Sequence, residues 1–72
     1  MPRLPRLSAR KLLALLSRIG FTQVRQKGSH VVVGHSDGRM TVVPKHSGDI
    51  PLGTLRGILH DIEMTVEDLL DT

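Results

Sequence analysis

Lys27-Gly28-Ser29-His30-Val31-Val32-Val33-Gly34-His35-Ser36-Asp37-Gly38-Arg39-Met40-Thr41-Val42-Val43-Pro44 carries two turn signals and two β-branched runs. Three successive valines from Val31 are stiff at the Cβ and suit a pleated strand better than a helix. Lys27-Gly28 predicts a tight hairpin turn and Ser36-Asp37-Gly38 a second one, because glycine adopts the positive φ such turns need. The spacing therefore predicts strands over Ser29–Val33 and Arg39–Val43, preceded by a shorter, mixed strand over Phe21–Gln26. Connections this short exclude crossovers, so the three strands form an antiparallel meander. Pro44 ends it.

Working outward, the residues before the meander are helical. Leu12, Leu15, Leu16 and Ile19 fall on one face with Leu13 widening it, and Arg10, Lys11 and Arg18 are left for solvent. Ser8 stands at the N-cap, and Gly20 at the position after the last turn, where a left-handed residue closes a helix. Residues 1–7, with Pro2 and Pro5, read as an irregular lead-in. Beyond the meander, Lys45-His46-Ser47-Gly48-Asp49 is loop, and Pro51 suits the first turn of a second helix. Its apolar stripe is Leu52, Leu55, Ile58, Leu59 and Ile62. Thr65 to Asp68 resembles a capping box with aspartate in the acceptor place, opening a short acidic turn through Leu70. The order is α-β-β-β-α plus a terminal helical turn: an α+β, two-layer domain whose helices cover one sheet face and leave the other open.

The totals narrow the function. Seventy-two residues support one domain spanning 1–72, and a chain this short buries only about 60% of its unfolded surface. The absence of cysteine excludes disulfides, iron–sulfur clusters and thiolate zinc sites, and favours a reducing compartment. No apolar run approaches the roughly 20 residues of a membrane span, and the basic start lacks the apolar core of a signal peptide. These features predict a cytoplasmic protein without a membrane. The net charge of +3 conceals an asymmetry: residues 1–60 hold all ten Lys and Arg against Asp37 and Asp49, +8, while residues 61–72 carry five acids and no base, −5. So basic a body attracts polyanions, although an ordinary solvated surface accounts for it equally well.

Four histidines are the candidate chemical groups. If Val31 and Val33 face the core, strand alternation aims His30 at the open face, near Arg25 and Lys27. A lone imidazole suffices for one reaction, because RNA carries its own nucleophile. Removal of the 2′-hydroxyl proton promotes in-line attack on phosphorus, giving a 2′,3′-cyclic phosphate and a 5′-hydroxyl. A cation, Lys27 before Arg25, can stabilise the phosphorane without a metal. On residue type alone, though, a strand histidine reads first as a packing or phosphate-contacting residue, as in a non-catalytic RNA-binding module, and the basic face also suits an acidic protein. His46, in the Pro44–Gly48 loop, can contact phosphate, orient His30 or cap the second helix, and the last comes first on residue type alone. His35 and His60 read as surface residues. A metal site from His30, His35 and His46 has no support in spacing. No glycine-rich phosphate loop, nucleophile elbow or carboxylate pair is present, so no metal and no small-molecule cofactor is expected. Phe21, the single aromatic, reads as core, which disfavours base-stacking platforms.

Taken together, Gly20-Phe21, Arg25–His30, Thr41–Gly48 and Gly53–Leu59 resemble, in order and spacing, the HicA toxin family of type II HicA–HicB toxin–antitoxin pairs. The resemblance covers Ser8 to Leu70. It implies a double-stranded-RNA-binding-domain-like fold and metal-independent endoribonuclease cleavage of mRNA. Its single essential side chain is the histidine of the Gly-Ser-His block, here His30. It also implies neutralisation by a HicB-type antitoxin covering the active face. Arg25, Lys27, Ser29, Lys45 and His46 are the accompanying candidates for RNA contact. Many relatives have a glycine after the second helix, where this chain has Asp61-Ile62-Glu63-Met64. That departure predicts a longer second helix or an altered last turn.

Overall fold

The structure is a computed structural model describing residues 4–71; the part of the lead-in at residues 1–3, Pro2 included, lies outside the described residues. The elements are α1 (Ala9–Arg18), β1 (Thr22–Lys27), β2 (His30–Gly34), β3 (Met40–Pro44), α2 (Leu52–Asp61) and α3 (Val66–Leu70). The three strands form one antiparallel sheet in the order β1-β2-β3. This is the α+β, double-stranded-RNA-binding-domain-like arrangement, with α3 as the terminal turn.

Each β-strand is displaced one residue from its expected place. Ser29 belongs to the β1–β2 turn, so His30 opens β2 directly across from Lys27. Gly28 has φ +59°, whereas Glu63 alone among the described non-glycine residues has positive φ. Glycine at the first central position with an ordinary residue at the second is the pattern of a type II′ turn, whose twist suits a two-residue hairpin. Val24 is the extra residue of a bulge between Gln23 and Arg25, and every β1 side chain is exposed. An edge strand whose alternation is broken cannot contribute an inward row.

The core lies between one sheet face and the helices. Val31, Val33, Thr41 and Val43 face inward against Leu12, Leu16, Leu55, Ile58 and Ile62, all buried. Phe21 is buried with them. On the other face Val42, Met40 and His30 are exposed. Thr41 is the buried polar member, and its hydroxyl donates to the Asp61 carboxylate at 2.9 Å. Leu52 departs from its expected place. It is 43% exposed at the start of α2, and Ile50, just ahead of the helix, is buried instead. Pro51 precedes the helix as its N-cap rather than occupying its first turn. The lead-in is irregular but anchored: Leu7 is buried, and its carbonyl accepts from the Ile50 amide at 2.7 Å.

Both long helices end in the same way. In α1 the Gly20 amide bonds to the Ser17 carbonyl and the Phe21 amide to the Leu16 carbonyl; in α2 the Glu63 amide bonds to His60 and the Met64 amide to Leu59. These are paired Schellman bonds, which need a left-handed residue at the turn. Gly20 supplies it at φ +100°, Glu63 at φ +56°. The Asp61–Met64 departure therefore does not lengthen α2. It places a glutamate where a Cβ is disfavoured. At α3 the expected capping box forms, Thr65 Oγ1 accepting from the Asp68 amide and the Asp68 carboxylate from the Thr65 amide, both at 3.1 Å.

Candidate active site

The sheet's two ends hold different polar groups. At the β2–β3 turn, His35 is not a surface residue. Its Nε2 lies 3.0 Å from the Ile19 carbonyl, and its Nδ1 accepts from the Asp37 amide at 3.1 Å. Its ring meets Phe21 edge-on at 5.1 Å. Since Nδ1 accepts, Nε2–H is the donor, and it satisfies a carbonyl at the C-terminus of α1 that the helix cannot. Arg39 does the same for α2, donating to the Ile62 carbonyl at 2.6 Å while pairing with Asp37 at 2.8 Å and lying over Phe21. The Arg39 amide, then its guanidinium, hold the Asp37 carboxyl below its ordinary value, with a smaller contribution from His35. Sequence reading missed this network. Asp37 and Arg39 flank Gly38 in a recognisable turn, but the Ile62 carbonyl that Arg39 reaches and the Ile19 carbonyl that His35 reaches lie far along the chain.

The opposite end gathers the residues singled out above. His30 is exposed at the first position of β2, and the register sets Lys27 opposite it and Arg25 opposite Val32, one step along the same face. Ser29, half-buried in the turn, gives its carbonyl to the Lys45 amide. That bond continues the β2–β3 ladder one step past the His30↔Pro44 pair and carries the following loop over the turn. His46 consequently stands beside His30, with ring centroids 6.4 Å apart and ring planes at 83°. It does not cap α2, whose start has no side-chain capping bond. The signal that could have placed it is the meander register: Pro44 pairs with His30, and two more residues return the chain to the same face.

Arg25, Lys27, Ser29, His30, Lys45 and His46 thus share one end of the open sheet. His60, on α2, is exposed as expected. His35 is separated from His30 by five residues of strand, about 16 Å, so a site using His30, His35 and His46 together cannot form. Among the described residues no group of three or more His, Cys, Asp or Glu is arranged to hold a metal ion. A groove of about 560 Å³ follows the β3 edge beside α2, lined in part by Arg25, Val42, Thr54 and Asp61, and does not include His30. The imidazoles stand on an open surface instead, a form suited to an extended polymer rather than an enclosed small molecule. Among the described residues no helix is long and apolar enough to cross a membrane.

The chain is thus a two-layer α+β protein that presents two neighbouring imidazoles and nearby cations on its uncovered sheet face. Residues 9–64 match the family model described as the HicA toxin of bacterial toxin–antitoxin. No curated protein matches the chain significantly. With most of its length matched, the chain belongs to the HicA toxin family. It is accordingly the toxin side of a toxin–antitoxin pair, with a cognate antitoxin as its partner.

Proposed function

We propose that this toxin is an endoribonuclease that cleaves mRNA in the cytoplasm without a metal, with His30 as the general acid–base group for attack by the RNA 2′-hydroxyl. The observation that carries the reading is the position of His30: exposed, first in β2, with Lys27 across the ladder and His46 beside it. An imidazole ring nitrogen can take the 2′-hydroxyl proton. Lys27 is positioned to offset charge on the phosphorane, and Arg25, Ser29, Lys45 and His46 line the path of the RNA backbone. The same cationic surface serves the cognate antitoxin, proposed as a HicB-type protein that covers it. The chain acts as a single domain over residues 1–72.

The test is incubation of purified toxin with mRNA in the presence of a chelator. The expected products carry 2′,3′-cyclic phosphate and 5′-hydroxyl ends, and His30→Ala abolishes them with circular dichroism unchanged. Cleavage or growth arrest that survives His30→Ala overturns the assignment. Salt-sensitive binding that leaves the RNA intact would instead make the protein a binding module.

A further inference from the structure

We infer that His46 is a second catalytic residue, the general acid that protonates the departing 5′-oxygen while His30 takes the proton from the 2′-hydroxyl. The inference rests on the endoribonuclease reading above and assigns the half of the reaction that reading leaves without a proton donor.

The need follows from the geometry of the reaction. In an in-line displacement the O2′–P bond forms on one side of phosphorus as the P–O5′ bond breaks on the other. The proton that leaves O2′ is therefore released far from where the 5′-oxygen requires one. A transferring group must lie within about 2.6–3.2 Å of its oxygen. One imidazole cannot reach both sides in the same step, so with His30 as the base the proton for O5′ must come from another group. Two imidazoles across the phosphate meet that need. His30 accepts the 2′ proton, His46 in its imidazolium form donates one to O5′, and the products are a 2′,3′-cyclic phosphate and a neutral 5′-hydroxyl. Proton exchange with water resets both rings.

The structure meets this requirement at one place. His30 and His46 come from different elements, β2 and the loop after β3, and both are exposed on the same end of the sheet. Their centroids are 6.4 Å apart, so both imidazoles can approach a single phosphodiester on the open face. The 83° interplanar angle keeps the rings from stacking face to face. The separation is held by backbone: the Lys45 amide is tied to the Ser29 carbonyl, and Pro44 is paired with His30. Each imidazole is thereby one residue from an anchored peptide. Lys27, opposite His30, stands where it can meet a nonbridging oxygen.

The experiment compares two oligoribonucleotides that differ in one atom, an ordinary phosphodiester and one with sulfur replacing the 5′-bridging oxygen. A thiol has a pKa near 8.5, so a thiolate departs without help from an acid. His46→Ala should slow cleavage of the oxygen substrate by about 10²-fold or more yet cleave the sulfur substrate at close to the unaltered protein's rate. His30→Ala should be defective on both. Because His46 is exposed in a loop, the variant keeps its core, and circular dichroism checks this. An equal loss on both substrates would make His46 a phosphate-binding or positioning residue and overturn the inference, as would full activity on the oxygen substrate. If the unaltered toxin cleaves neither, the endoribonuclease reading itself fails. A defect of His30→Ala without rescue of His46→Ala leaves that reading standing while removing this one.

Discussion

The two ends of the sheet carry the same kinds of side chain and use them in opposite ways. At the β2–β3 turn, His35 and Arg39 are consumed by backbone: one satisfies Ile19 at the end of α1, the other Ile62 at the end of α2, with Asp37 holding Arg39 in place. At the β1–β2 turn, His30 and His46 meet no helix end, and their rings stand edge to face on an open cationic surface. Both long helices point their C-termini toward the first end, where unpaired carbonyls attract donors. A polar side chain there closes the fold. At the other end the backbone is bonded locally, through the ladder, the Lys45-to-Ser29 bond and the Gln26 side chain on the Gly28 carbonyl, and His30 and His46 stay exposed.

Exchanging the two histidines' fates is the sharpest way to break this contrast. Loss of the His30 imidazole should lower RNA cleavage by about 10²–10⁴-fold with the thermal midpoint unmoved, as single-turnover assays beside a melting curve would report. His35→Ala should do the reverse. Removing the donor leaves the Ile19 carbonyl unsatisfied and strips the Phe21 edge contact, a destabilisation of about 1–3 kcal/mol. Urea titration measures it, and cleavage by the folded protein should persist. A His35 variant that is fully stable but inactive would erase the distinction between the two ends.

The helix ends offer a smaller and opposite effect. Gly20 has room for no Cβ: one built there would lie 2.8 Å from His35 Nε2. Glu63 adopts the equivalent left-handed turn with a side chain, so Glu63→Gly should stabilise the protein by up to about 1 kcal/mol, read in the same titration. An unchanged or lowered midpoint would mean that the glutamate side chain offsets its own backbone strain. The smallest effect is acid sensitivity at the clamped end. The Asp37 carboxyl is depressed in the folded state by the Arg39 amide first and the guanidinium after. Its contribution is therefore complete above the ordinary carboxylate value and lost as pH falls through the folded one. Asp37→Asn should flatten that part of the acid limb, and only slightly, because the group is exposed.

Much of this architecture is legible in the residues because it follows from local covalent geometry. A 3.6-residue period marks α1, a period of two aims Val31 and Val33 inward and His30 outward, and Thr65 with Asp68 closes a capping box over three residues. The glycine missing after α2 is visible too, although only φ at Glu63 shows that the helix ends there regardless and accepts the strain. Leu52 lies outside what pattern can settle: it fits the stripe by spacing, yet Ile50 is buried in its stead.

By itself, then, the sequence determined the order of elements, the turn at Gly28 and the face from which His30 projects, since each depends on neighbours within one turn or one pleat. Tertiary structure alone decided that His35 and Arg39 would hold the two helix ends and that His46 would arrive beside His30. Those partners lie 16 residues apart in every case but Arg39 and Ile62, which lie 23 apart. No local preference specifies contacts at such range. They form when the helices dock on the sheet and the loop after β3 is tied to the turn before β2.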